Sequence, residues 1–298
     1  MPIATASYEI TNWHIDRVFR RAGMVLQTLI TDEYTIEYWD NESNDKPVIL
    51  AVHGFGAKAK YQWYKQLSVL RSDYRVVIPN LMYFGKTRPH KERYRVCDQV
   101  EMVQHFIEHL KIKKYTLLGA SYGGLISAEL AIKYPEQVER LILVDAAMKY
   151  LYEDDTARVC AFFEVETIDD LFVPAKPDGL KLLYHASIGK DALAPPTVTL
   201  RRFHEELYQG TFKEKRELVK DLLAIRETYA KHIYSYKVPV HLIWGDLDVL
   251  IPPDRAVRLR DHIGGDTTLD IIKKGGHMPN MNQPRIFNDL LIKYLGQK

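Results

Sequence analysis

A serine hydroxyl becomes a useful nucleophile only where the chain exposes it and sets a base beside it. Ser121, in Gly119-Ala120-Ser121-Tyr122-Gly123-Gly124, has such a setting. A short apolar run, Tyr115 to Leu118, leads into it, and a helical pattern from Ser121 to Tyr134 leads out. A glycine two residues away on either side permits a turn too tight for side chains. Such a turn holds the serine Oγ out at the end of a strand and the start of a helix. The base expected for it is His277, in Gly275-Gly276-His277-Met278-Pro279, on a glycine-flanked loop before the final helical pattern. The imidazole needs an orienting acid. Asp248 fits best, in Trp244-Gly245-Asp246-Leu247-Asp248 with Gly245 and Pro252 as anchors; Asp246 reads as a brace for the turn. Acyl transfer builds negative charge on an oxygen, which calls for fixed N–H donors. The Tyr122 amide is one. The Phe55 amide, in His53-Gly54-Phe55-Gly56, is the other, with His53 tying that loop down.

The elements that must position these groups can be read from pattern. Val25–Ile30 and Thr35–Trp39 look like paired strands. Short β-branched runs follow at Val48–Val52, Arg75–Ile78, Tyr115–Leu118, Leu141–Val144, Val240–Trp244 and Thr268–Ile272. Continuous runs of this kind suit strands buried on both faces of a mainly parallel sheet. Helical stretches alternate with them at Asp98–Leu110, Ser121–Tyr134, Pro253–His262 and Pro284–Leu295. The expected fold class is therefore α/β, a doubly wound, mainly parallel β-sheet. Residues 146–236 break the alternation and are helical in pattern, with Lys213–Tyr229 reading as one amphipathic helix. They are expected to form a lid inserted between core residues 1–145 and 237–298.

Composition narrows the partners. Of 298 residues, 46% are hydrophobic and 27% charged, which excludes disorder. Lys plus Arg number 41 against 39 Asp plus Glu, too balanced for a dedicated nucleic-acid binder. Cys97 and Cys160 cannot make a disulfide framework, and no Cys/His cluster has zinc spacing. The longest uncharged stretch, Tyr115 to Ala128, falls short of the ~20 residues of a spanning helix. No signal peptide is legible, and a cytoplasmic location is expected. Ile10–Arg21 suits a short basic amphipathic helix, expected on the domain's flank and not on a membrane surface.

Together these residues resemble an α/β-hydrolase-fold serine hydrolase with a helical cap, from about Gln27 onward. Within that superfamily the chain resembles esterases and monoacylglycerol-lipase-like members. The likeness rests on His53-Gly54-Phe55-Gly56-Ala57 followed by Gln62-Trp63, on Leu81 to Thr87, and on Gly119 to Gly124. The order Ser121, Asp248, His277 is the order of that sheet. The chain departs from the family's pattern at Asn80, where an Asp is usual, and at Asn282-Gln283-Pro284, where an acid is frequent. Some relatives take their acid from the strand before the cap, which makes Asp145 a third contender.

The resemblance implies hydrolysis of a small-molecule carboxylic ester through an acyl-enzyme, with no metal or organic cofactor. Haloalkane dehalogenases and epoxide hydrolases need an aspartate at the elbow, where this chain has Ser121. Carbon–carbon hydrolases of ring-cleavage products keep the serine and are the alternative, although they usually carry an aromatic residue where Met278 stands. A receptor that keeps the triad for recognition is a further alternative. Met82, Tyr83, Phe84, Met148 and Tyr150 lie just past core strands, where the substrate crevice opens. The cap is expected to add Phe162, Phe163 and Leu171, with Phe172 and Leu183 as further apolar lid positions; the pocket positions on strand ends and cap suit ordinary core equally well.

Overall fold

The computed structural model describes residues 3–56, 58–148 and 153–296. Among the described residues nine strands form one sheet: β1 (Val25–Ile30), β2 (Tyr34–Asp40), β3 (Val48–Val52), β4 (Arg75–Pro79), β5 (Arg88–Pro89), β6 (Tyr115–Ala120), β7 (Val138–Val144), β8 (Val240–Gly245) and β9 (Thr267–Ile272). Their order is β1-β2-β4-β3-β6-β7-β8-β9, with β5 paired to β2 off that path. β2 runs antiparallel to β1, β4 and β5. From β4 to β9 every pairing is parallel. Every residue of β6 and β8 is buried, as their unbroken apolar runs require, whereas β1 at one edge is largely open to solvent.

Alternation along the central strands feeds two cores. β3 sends Leu50 and Val52 to one face and Ile49 and Ala51 to the other. On the first face pack α4 (Val96–His109), α5 (Tyr122–Lys133) and α12 (Pro253–Ile263), through Phe106, Leu125 and Leu259 among others. On the second pack α1 (Ile3–Arg21), the short α2 (Ala59–Trp63) and α3 (Leu67–Leu70), and α14 (Pro284–Leu295). Phe19, Trp63, Leu67 and Phe287 are their buried anchors. A last short helix, α13 (Pro279–Asn282), leads into α14. The expected α1 begins earlier than Ile10, and it packs on the domain as expected.

Between β7 and β8 the described residues make six helices: α6 (Glu153–Phe163), α7 (Ile168–Phe172), α8 (Gly179–Ile188), α9 (Thr197–Tyr208), α10 (Phe212–Ala224) and α11 (Arg226–Lys231). The single helix expected over Lys213–Tyr229 is therefore two, parted at Ile225. No proline or glycine marks the joint. Ile225 keeps near-helical angles, and its amide still bonds the Asp221 carbonyl at 2.9 Å. That is why the pattern carries no signal of it.

Lys215 joins α10 to the core in an unusual way. It is fully buried, donates to the Leu207 carbonyl, and lies 4.3 Å from the Phe84 ring centre and 4.9 Å from that of Tyr208. Burial pushes its pKa down to about 7, helped by the nearby charges of Arg88 and Lys58. An unfolded lysine titrates near 10.4. Below about 7 both states are protonated and the burial penalty is fully present. Between about 7 and ~10.4 the unfolded chain binds the extra proton, so stability rises with pH through that window. Lys215→Met should therefore raise the melting temperature relative to wild type at pH 7 by more than at pH 10. A difference independent of pH across that range would contradict a lysine buried in this way.

Candidate active site

Ser121 stands between the end of β6 and the first turn of α5, with φ 52° and ψ −119°. Non-glycine residues avoid that region, and holding one there costs about 1–3 kcal/mol. Hydrogen bonds fix it: the Ser121 amide donates to the Val144 carbonyl at 2.8 Å, and the Ser121 carbonyl accepts from Gly124, Leu125 and Ala147. The flanking glycines have the role expected of them. A Cβ on Gly119 would lie 2.3 Å from Ser127 Oγ, and one on Gly123 would lie 2.3 Å from the His53 carbonyl oxygen.

His277 and Asp248 complete a hydrogen-bonded chain. His277 Nδ1 lies 2.8 Å from Asp248 Oδ2, and His277 Nε2 lies 2.8 Å from Ser121 Oγ. A carboxylate only accepts, so Nδ1–H donates to Asp248 and Nε2 is left to accept from the serine hydroxyl. Asp248 Oδ1 meanwhile accepts the amides of Leu250 at 2.8 Å and Ile251 at 3.0 Å. Both side chains are buried. Asp246 instead bends its amide back to the Ile272 carbonyl at 3.1 Å, and Asp145 is buried beside the pair.

Facing Ser121 is the loop after β3. Among the described residues neither the Phe55 nor the Tyr122 amide has a protein acceptor; Tyr122 is the first residue of α5, where an N–H has no partner in its own helix. The loop is tied down around Phe55. Gly54 N–H donates to Gln62 Oε1 at 2.7 Å, and Asn280 Nδ2 donates to the Gln62 carbonyl at 2.8 Å. His53 is fully buried, with Nδ1 2.7 Å from the Gly54 carbonyl and Nε2 accepting the Leu81 amide at 3.0 Å. These partners require the neutral ring with Nδ1 protonated, and burial lowers its pKa to about 4. His53 is a tie, as its place in the sequence suggested.

The chain's departures from the family's pattern have partners that explain them. Asn80 accepts the Ala59 amide and donates to Glu37 Oε1 at 2.9 Å, and an aspartate there could only accept. Asn282 and Gln283 donate to the carbonyls of Ile188 and Lys274, which a carboxylate cannot do.

Two cavities meet at the serine. The larger, about 540 Å³, runs from Ser121 and His277 between α1 and the inserted helices, walled by Ile15, Leu183, Leu200, Phe203 and Met281. The smaller, about 90 Å³, lies toward α6 and α10, walled by Val159, Ile168, Val219 and Leu223. Phe55 and Phe172 border both.

Most of the expected pocket residues are elsewhere. Met82, Tyr83, Phe84 and Met148 line neither cavity; all are buried in the core beneath. The loop after β4 turns inward because Gln99 Oε1 accepts the Met82 amide at 2.9 Å, and Tyr83 stacks on Tyr94 with ring centres 5.5 Å apart. Phe84 acts at one remove, edge-on to Phe55 at 5.3 Å. Phe162 is 47% exposed on α6 and packs on Phe163, away from both cavities. Phe163 and Leu171 are buried without lining them, while Phe172 and Leu183 do line the site. Tyr150 lies outside the described residues. The walls contributed by α1, α9 and Met281 are not legible in the sequence, because nothing in a helical pattern says which buried face borders a void.

Comparison with known proteins bears on the fold. Residues 47–284 match the alpha/beta hydrolase fold family, and the chain belongs to it. Epoxide hydrolase 4 of Mus musculus is 25% identical over 85% of this chain and 74% of its own length. The monoacylglycerol lipase ABHD6 of Bos taurus is 25% identical over 93% of this chain and 83% of its own. Among solved structures, a protein assigned as a lipase (lip1) of Acinetobacter baumannii AYE superposes with a TM-score of 0.83 at 21% identity, covering 95% of each chain. Among the described residues, no helix is long and apolar enough to cross a membrane.

The elbow supplies its own test. A methyl group on Gly123 has backbone carbonyls of both His53 and Val52 within 2.5 Å, and neither is a flexible side-chain end. Gly123→Ala should destabilise the protein by about 1–3 kcal/mol or more. A melting temperature equal to wild type would contradict the packing described.

Proposed function

We propose that the protein is a serine hydrolase of carboxylic esters. The observation that carries this reading is the unbroken hydrogen-bonded chain Asp248–His277–Ser121, with two amides beside its end that have no acceptor among the described residues. In this reading His277 Nε2 takes the Ser121 proton as Oγ attacks the ester carbonyl. The Phe55 and Tyr122 amides hold the oxyanion, and Asp248 fixes the imidazole tautomer and faces the imidazolium that forms. His277 then passes the proton to the departing alcohol. Water, deprotonated by the same imidazole, releases the acid. The epoxide hydrolase relative does not redirect the proposal, because a serine stands at the elbow where that chemistry needs an aspartate.

Apolar walls support an apolar substrate. The larger cavity falls within the roughly 300–1,000 Å³ range of small-molecule sites and takes the longer arm of the ester. We assign that arm to the acyl chain, and residues 146–236 to a lid that shapes its channel through Phe172, Leu183 and Leu200. The likeness to a monoacylglycerol lipase supports a lipid-derived ester as substrate.

Two measurements check this reading. Asp248→Asn should lower kcat by about 10⁴-fold through the wrong histidine tautomer, far more than Asp246→Asn. Equal losses would remove Asp248 from its role. On a panel of esters of graded acyl length, assayed beside a ring-cleavage dienone, kcat/KM should climb a few-fold per methylene, about 0.8 kcal/mol each, until the cavity is full. Phe172→Ala or Leu183→Ala should move that optimum while leaving the shortest esters little changed. An optimum indifferent to both would place the acyl chain elsewhere, and turnover of the dienone alone would make this a carbon–carbon hydrolase.

A further inference from the structure

Asp145 follows β7 and is fully buried, with φ 42°. It is placed against the catalytic acid: one side-chain ligand atom from each of Asp145, Asp248 and His277 falls within 4.8 Å of the others. Its Oδ1 accepts the Gly245 amide at 3.0 Å. Its Oδ2 is buried and has no donor among the described residues. As a carboxylate, Asp145 would hold an unsatisfied charge beside the negative charge of Asp248. Among the described residues no lysine or arginine pairs with either carboxyl group, and the titratable groups facing Asp145 are Asp248 and His277. As a carboxylic acid it has an O–H to give, and the open acceptor nearby is Asp248.

We propose that Asp145 is a proton-carrying positioning residue, which donates Oδ2–H to the Asp248 carboxylate and holds it square to His277. The proposal rests on the Ser121–His277–Asp248 reading and adds a donor to it. Asp248 then receives the Leu250 and Ile251 amides on one oxygen, and His277 together with Asp145 on the side facing them. Two like charges this close do not both ionise readily. In agreement, burial first and the Asp248 charge second raise the Asp145 pKa well above the usual carboxyl range, against the opposing pull of the Gly245 amide. The Gly245 amide also fixes which oxygen accepts, leaving Oδ2 as the one that donates. An asparagine would be oriented the same way, with its carbonyl to Gly245 and its NH₂ to Asp248. It also tolerates positive φ better than most residues.

The test compares Asp145→Asn with Asp145→Leu, both normalised by fluorophosphonate titration of active sites so that misfolded protein is not counted. Asp145→Leu removes the donor. Its kcat should fall at least 10-fold with little change in KM, and the acid limb of its pH profile should move upward as Asp248 concentrates its charge on His277. Asp145→Asn should recover most of the lost kcat, with the acid limb where wild type has it. An acid limb lowered by about 1–3 pH units in Asp145→Asn would show that Asp145 is ionised in the native enzyme, and would overturn the proposal. Wild-type kcat and pH profile in titrated Asp145→Leu would overturn it too. A collapse of Asp145→Asn beside an active Asp248→Asn would instead sink the triad reading on which the proposal rests. If Asp145→Leu yields no titratable sites, the Asp145→Asn profile alone decides.

Discussion

The backbone of Ser121 is the constraint on which the rest of the molecule depends. Its positive φ is unfavourable in isolation and persists because four backbone hydrogen bonds surround it. Those bonds come from β7 through Val144, from α5 through Gly124 and Leu125, and from Ala147 beyond β7. The elbow therefore exists only if β6 and β7 are in register and α5 packs close against the strand ends. The buried parallel strands and the glycines at 119 and 123 meet those conditions.

Around that point the sheet gathers groups that are far apart in the chain. Asp248 follows β8, His277 follows β9 and Phe55 follows β3, so three strand ends converge on one serine. The loops after β3 and β4 are held by polar side chains. His53, Gln62, Gln99, Asn80 and Asn280 place neutral hydrogen-bonding side chains on backbone groups that would otherwise be buried without partners. Polar ties thus hold the loops beside the serine. The shape of the larger cavity is set by the apolar helices laid over it, which meet it through Phe172 and Leu183.

What could be read beforehand follows the same division. β3, β4, β6, β7 and β8 were legible because a strand buried on both faces must be a short, unbroken apolar run, β9 at the sheet's edge because it is rich in β-branched residues, and Ser121 because its turn needs glycines at fixed offsets. His277 and Asp248 followed from their loops and chain order. The channel walls were not legible. Met82, Tyr83, Phe84 and Met148 sit where ligands bind in open α/β sheets, yet a hydrogen bond from Met82 to Gln99 turns that loop into the core. Ile15 and Leu200 come from helices whose amphipathic pattern is satisfied equally by core or by cavity. Lys215 reads as one more surface charge among its neighbours and is in fact buried.

The claim at the centre is that Ser121 forms a covalent acyl-enzyme. Rapid quench of the protein with a slowly deacylating ester, followed by peptide mass spectrometry, measures this directly. The acyl mass should appear on the peptide containing Ser121 during turnover and decay as product acid accumulates. Turnover with Ser121 unmodified, or an acyl group carried on another residue, would contradict the account.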